Sequence, residues 1–275
     1  MTDTPKGSLP ASLTLVGAGK MGGALLRGWL DGGLDPATTT VIDPQVGPEI
    51  SALCSERGVT LNPERTSAAQ TLVLAMKPQG LDDAATTLAP LVGPGTLVVS
   101  ILAGKTLANL AARLPRAGAF VRTMPNLPAS IGRGATGAVA STGIKAEQRA
   151  QADALLACSG LVEWLDDEAL IDAVTAVSGS GPAYAFLLAE ALAEAGTKAG
   201  LPPEMAARLA RATVAGAGAL LDASPIEAGE LRRNVTSPGG TTAAALGVLM
   251  REGGLPDLLT EAVEAARRRA GELAG

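Results

Sequence analysis

The chain has 275 residues, 47% of them hydrophobic and only 2% aromatic, with a net charge of −5 and no histidine. That length suits one dinucleotide-binding domain plus a second, smaller one, and an acidic chain with no basic stripe among aromatic residues argues against nucleic acid as a partner. The missing histidine removes Ser-His-Asp and Cys-His catalysis and nearly excludes the usual zinc sites, so no metal site is expected.

With Trp29, Phe120, Trp164, Tyr184 and Phe186 the only aromatic residues, the core is expected to be built from Leu, Val, Ile and Ala. Charges at Lys20, Lys77, Glu190 and Arg211 interrupt the apolar stretches before the roughly 18 residues a membrane helix needs, so no membrane partner is expected. Polar residues and Pro5 stand where an export signal would carry its basic and apolar regions, which argues against export. Cys54 and Cys158 lie far apart, as unpaired buried thiols in a reducing cytoplasm would.

In chain order, the apolar β-prone run 13–16 leads directly into Gly17-Ala18-Gly19-Lys20-Met21-Gly22, and Ala24 to Leu30 then shows helical spacing. Strand, tight turn and helix in that order are what a dinucleotide fingerprint requires. Gly17 permits the turn, Gly19 lets the backbone approach a pyrophosphate, and Gly22 allows helix and strand to close together. The pyrophosphate would rest on the unpaired N–H groups of the helix start. A second run, 39–42, ends in Asp43, 21 residues beyond Gly22, where an acid can hydrogen-bond a ribose 2′-hydroxyl.

Further β-prone runs at 71–76, 96–101, 119–123, 135–140 and 161–165 alternate with helical stretches beginning near Pro48, Leu81, Thr106 and Lys145. Thr106 is a good N-cap. The pattern predicts a Rossmann-like, doubly wound α/β domain over 1–165, with ligands beyond the carboxyl ends of its strands. Ala75-Met76-Lys77-Pro78, Ala103 and Asn126 follow three of those runs and are candidates for the nicotinamide end of a coenzyme. Lys77 can neutralise coenzyme or substrate charge, or simply be solvated. Asn126, between two prolines, can hold a ribose or the nicotinamide carboxamide, or instead stabilise an Asx-type turn.

From residue 166 the strand signal stops, and 166–275 reads as an all-helical domain rich in Ala, Leu and Gly. A helix is predicted from Pro182 to Lys198, ending at Gly200, with another following to Leu221. Their small apolar faces exceed what one short domain can bury and predict a homodimer made through this half. Arg267-Arg268-Arg269 is read as the last turn of a helix, complementing its dipole. Between helices stands Ser237-Pro238-Gly239-Gly240-Thr241-Thr242. Its glycines let N–H groups converge, Thr241 or Thr242 can cap the next helix, and the whole can cradle an anion the size of a carboxylate.

Taken together, GAGKMGGALL at 17–26, AMKPQ at 75–79, SILAG at 100–104, MPNLPA at 124–129, GRGATG at 132–137, DAVTAVSGSGPAYAF at 172–186, EALAEAGTKAGLP at 190–202 and NVTSPGGTT at 234–242 resemble pyrroline-5-carboxylate reductase over nearly the whole chain. The resemblance implies hydride transfer from NADPH or NADH to the imine carbon of 1-pyrroline-5-carboxylate, giving L-proline. It implies that Ser237, Gly239, Gly240, Thr241 and Thr242 hold the substrate carboxylate, with the Thr242 hydroxyl also near the ring nitrogen as a hydrogen-bonding orienter. The turn containing Ser180 would shape the other wall. It further implies interlocked dimers, often assembled into decamers.

Three positions depart from the family pattern: Lys20 where Asn is usual, Lys105 where Ile is usual and Leu127 where Thr is usual. Family members commonly prefer NADPH, yet Asp43 followed by Pro44, with no nearby Arg, would repel a 2′-phosphate, so NADH is a serious contender. Two other readings share the layout. A β-hydroxyacid dehydrogenase should carry a lysine inside its long interdomain helix, and here only Lys198 stands at the far end. A non-catalytic nucleotide sensor would have lost Thr242 or the paired glycines, and both are present.

Overall fold

The computed structural model describes residues 8–274, so the polar opening with Pro5 lies outside it. One sheet holds eight strands: β1 (Leu13–Val16), β2 (Thr39–Ile42), β3 (Thr60–Leu61), β4 (Thr71–Leu74), β5 (Leu97–Ser100), β6 (Ala119–Met124), β7 (Gly134–Ala140) and β8 (Gly160–Trp164). Their order is β3-β2-β1-β4-β5-β6-β7-β8. Pairing is parallel throughout except between β6 and β7. Every residue of β1, β4 and β5 is buried, as befits central strands covered on both faces, which read as continuous apolar runs instead of alternating ones. The sequence reading finds seven of these strands. β3 is only two residues long, too short to carry a period, and is added by the structure.

Helices α1 (Lys20–Asp31), α2 (Pro48–Arg57), α3 (Leu81–Leu88), α4 (Leu107–Arg113) and α5 (Ala146–Ala157) connect the strands. Local chemistry sets their ends. Thr106 accepts from the Asn109 N–H at 3.1 Å while the Asn109 side chain accepts from the Thr106 N–H at 3.1 Å, a reciprocal cap at the predicted position. Helix α2 opens on Pro48 and stops at Gly58, whose φ of 77° is left-handed. Helix α1 buries Leu25, Leu26, Trp29 and Leu30, and the Trp29 indole donates to the Leu155 carbonyl at 2.9 Å, so the largest core side chain keeps its polar atom paired. The core is mainly Leu, Val and Ala. Isoleucine contributes less than expected, with Ile171 its fully buried member among the described residues.

Because β2 and β3 lie on one side of β1 and β4 on the other, the chain reverses its winding between β1 and β4. A crevice therefore opens at their carboxyl ends, where the glycine-rich loop begins.

Beyond β8, α6 (Ile171–Val174) leads into a π-helical turn, Thr175–Gly179. Ile171 packs with Met124 and Val139 of the sheet, and the compact units divide at Gly179. The first unit also takes the residues from Arg267 on, and the second is Ser180–Ala266. The remaining helices are α7 (Gly181–Lys198), α8 (Pro203–Ala223), α9 (Ala228–Asn234), α10 (Thr241–Leu249) and α11 (Leu255–Ala274). Gly200, at φ 104°, turns the chain between α7 and α8, and Gly196 leaves room for Ala206 3.3 Å from where a Cβ would stand. No residue of α7 is fully buried. Since α11 continues to Ala274, Arg267-Arg268-Arg269 lies before its last turn, and Arg269 pairs with Glu272 at 2.7 Å instead of serving the helix end. No helix of the described residues is long and apolar enough to cross a membrane.

Candidate active site

The glycine-rich loop is shaped by close approach. Gly17 has φ 88°, and a Cβ there would stand 2.6 Å from the Met76 N. At Gly22 it would stand 2.2 Å from the Gly17 carbonyl oxygen, which forces the helix start against the loop. Gly19 is different. A Cβ there meets nothing within 4 Å, so this backbone faces open space at the amino end of α1, and a diphosphate can reach it unhindered. The residues therefore fit a dinucleotide.

Gly17, Gly19, Asp43, Ala75, Met76 and Lys77 line one cleft of about 920 Å³. Ala18, Gly19 and Lys20 face a second recess of about 520 Å³ on the other side of the loop, beside Arg27 and the start of α2. Met21 packs against the core beneath. Pro78 begins a short 3-10 turn directly after the cleft-lining Lys77, and Ala103 is exposed next to Gly104. Among the described residues Lys77 is the cation of the larger cleft, and no arginine lines it.

Asp43 is held from several sides. Its Oδ2 accepts from the Ala18 N–H at 2.7 Å and its Oδ1 from the Gln45 N–H at 2.8 Å, tying the end of β2 to the glycine-rich loop. Asn62, with Ile42, Thr66, Thr87 and Leu91, completes that end of the cleft. These residues are missed by sequence reasoning. The only signal was an Asn-Pro pair after a short β-prone segment.

Asn126 is braced by partners far along the chain. Its Oδ1 accepts from the Ala135 N–H at 2.9 Å, and its Nδ2 donates to the Ser178 carbonyl at 3.0 Å, with the residue only 8% exposed. The side chain braces β7 and the π-helical turn, with one Nδ2 hydrogen and one Oδ1 lone pair left over. It does not form an Asx turn, since its partners are far along the chain.

In the second unit, Gly239 has φ 69° and Gly240 becomes the N-cap of α10, its N–H donating to the Ser237 carbonyl at 3.1 Å. A Cβ on Gly240 would stand 2.5 Å from Ser237 Oγ, which would have to turn away. Thr241 and Thr242 are the first two helical residues. Neither caps the helix, against the expectation, because the cap position has passed to Gly240. Their hydroxyls are thereby left available, next to the N–H groups of Thr241, Thr242 and Ala243, which a helix start leaves without intrahelical partners. Ser180 precedes the first residue of α7, its carbonyl accepting from the Ala183 N–H at 3.0 Å. Lys198 is in the last turn of α7, whose interior holds no lysine.

Burial pushes the thiols of both Cys54 and Cys158 up, away from thiolate. Cys158 is half-buried and donates to the Ala154 carbonyl at 3.3 Å, so only Cys54 is buried as expected. Neither is poised as a nucleophile.

Comparison with known proteins bears on both units. Residues 168–273 match the family described as pyrroline-5-carboxylate reductase dimerisation. Residues 12–104 match the family described as NADP oxidoreductase, coenzyme F420-dependent. A pyrroline-5-carboxylate reductase of Pseudomonas aeruginosa is 42% identical, with 95% of this chain and 96% of that protein covered. One from Pisum sativum is 36% identical over 95% of this chain and 96% of its own. The solved structure of a pyrroline-5-carboxylate reductase from Coxiella burnetii superposes with a TM-score of 0.88 at 34% identity, covering 96% of this chain and 98% of that one.

Proposed function

The chain belongs to the pyrroline-5-carboxylate reductase family, NAD(P)H-dependent oxidoreductases of proline biosynthesis, and we propose that it reduces 1-pyrroline-5-carboxylate to L-proline with its substrate carboxylate held by Ser237, Gly239, Gly240, Thr241 and Thr242. The observation that carries the substrate half is the start of α10, where two threonine hydroxyls that cap nothing stand beside unpaired helix N–H groups. A carboxylate fits that set by charge, size and acceptor count.

When bound, NAD(P)H supplies a hydride from its nicotinamide ring. The substrate imine is protonated, so the hydride adds to its carbon, the π pair becomes the amine lone pair, and no side chain has to titrate. What the protein contributes is orientation. Gly17, Ala18, Gly19, Lys20, Met21 and Gly22 shape the diphosphate seat, Asp43 meets the adenosine ribose, and Ala75, Met76, Lys77, Pro78 and Ala103 border the nicotinamide half. Thr242 hydrogen-bonds near the ring nitrogen, and Ser180 belongs to the substrate wall. The free thiols of Cys54 and Cys158 suit the reducing cytoplasm, where this reading places the enzyme. It works as a homodimer through the helical half, with a decamer as the larger assembly.

Product analysis tests the reaction itself: proline is expected to form mole for mole with NAD(P)H oxidised. Coenzyme oxidation without proline would overturn the substrate. Coenzyme choice follows from Asp43, whose carboxylate repels a 2′-phosphate and accepts from a 2′-hydroxyl. Asp43→Ser is expected to raise the NADPH-to-NADH ratio of kcat/KM by about tenfold or more, on the order expected for one charged hydrogen bond lost and one repulsion relieved. A ratio that does not move would remove Asp43 from the coenzyme site.

A further inference from the structure

Asn62 is the sole non-glycine residue at positive φ among the described residues, at 46°. It precedes Pro63, whose ring disfavours compact backbone at the preceding position. Asn is one of the few side chains that tolerate this conformation. What the strained position achieves is visible in the bonding. The Asp43 N–H donates to Asn62 Oδ1 at 2.8 Å, and Asn62 Nδ2 donates to the Asp43 carbonyl at 2.8 Å. The Asn62 N–H itself donates to the Val41 carbonyl at 2.8 Å.

The short β3 ladder ends at Leu61 opposite Val41. One step further, where two backbones would next exchange hydrogen bonds, the Asn62 carboxamide takes the place of a peptide group. It clamps both polar backbone atoms of Asp43. The Asp43 carboxylate then accepts from Ala18 in the glycine-rich loop and from Gln45, which fixes both of its oxygens while leaving further lone pairs for a ligand. Asn62 is exposed, so this clamp is not a by-product of core packing. Asn62 and Asp43 line the same cleft.

We propose that Asn62 is a positioning residue for coenzyme recognition: its carboxamide fixes the backbone of Asp43 so that the carboxylate is presented to the adenosine ribose. It therefore sets NADH affinity and the discrimination against NADPH, and leaves the hydride step alone. The inference rests on the reading that Asp43 meets the ribose, and the test separates the two.

Two variants isolate the carboxamide. Asn62→Gly adopts the same backbone without strain and deletes the clamp. Asn62→Asp also tolerates the backbone but turns an oxygen toward the Asp43 carbonyl in place of a donor. Dissociation constants for NADH and NADPH, measured by titration calorimetry on the full chain, are compared with those of Asp43→Ser, alongside kcat, KM and thermal midpoints. Both Asn62 variants are expected to weaken NADH binding by about tenfold, the loss of two net hydrogen bonds, with kcat at saturating coenzyme within about twofold, and Asn62→Gly, which adds no charge to repel a 2′-phosphate, is expected to narrow the NADH-to-NADPH ratio. If both bind NADH like the wild type while Asp43→Ser does not, Asn62 has a purely local structural role and the inference is overturned. If all three bind NADH like the wild type, the reading of Asp43 fails and takes the inference with it. A fall in thermal midpoint and kcat with unchanged coenzyme affinity also overturns it.

Discussion

Thr242→Ala is expected to lower kcat by about a hundredfold, the order of loss seen when one preorganised donor at a reacting centre is removed, while the thermal midpoint stays where it is. The second half of that expectation comes from the fold. Thr242 is the second residue of α10, its hydroxyl caps nothing, and the turn before it is held by Gly240 and Ser237. Alanine is the better helix former, so the helix loses nothing by the change. What disappears is one oxygen beside three helix N–H groups. Ser237→Ala is likewise expected to lower substrate affinity, and the turn survives it because the Gly240 N–H bonds the Ser237 backbone carbonyl, which alanine keeps. Unchanged kinetics in Thr242→Ala would remove that residue from the site.

Phe186→Asp is expected to convert the protein from a dimer, or a larger even assembly, to a single chain of 27.3 kDa in light scattering. Phe186, Leu187 and Leu188 are 61%, 62% and 52% exposed in one helix, α7, that has no fully buried residue. Each such side chain gives about 1.5–3 kcal/mol when covered, so three in succession are a large unspent driving force. A partner surface that covered them would release it, and since residues 168–273 match the dimerisation family the expected partner is a second copy. A carboxylate at position 186 would have to be buried unpaired in that interface, which opposes association strongly. A Phe186→Asp protein that still migrates at the wild-type mass would move the interface away from α7.

Much of this was legible in the sequence, for reasons that can be named. Long apolar strands covered on both faces announce themselves, as at 71–74 and 97–100, and the Thr106 cap was readable because its partner is three residues away. The glycine-rich loop was readable because both of its structural demands, a left-handed residue and a missing Cβ, select glycine. Hidden features depend on distant partners. Asn126 lies on a stiff loop after a strand, and nothing local reveals that Ala135 and Ser178 bond its amide. β3 and Asn62 escaped because a two-residue strand has no period and its continuation is made by a side chain.

The cap at α10 was misplaced by one or two residues for a related reason: Gly240 takes the cap without any side chain, so the threonines seemed needed for it. The buried Ile171 belongs to the sheet's packing although it follows the last strand, so the first compact unit runs on to Gly179, a connection that no local signal carries. In the departures from the family pattern, Leu127 is 51% exposed on a short turn, and the structure offers no reason for an apolar residue there.

The most direct test of the account is the initial rate of NADH and NADPH oxidation by the purified protein with 1-pyrroline-5-carboxylate, run side by side with a control lacking the imine. The account predicts imine-dependent oxidation, and, on the proposal that Asp43 meets the ribose, faster oxidation of NADH than of NADPH. No imine-dependent turnover with either coenzyme, from folded protein, would contradict it.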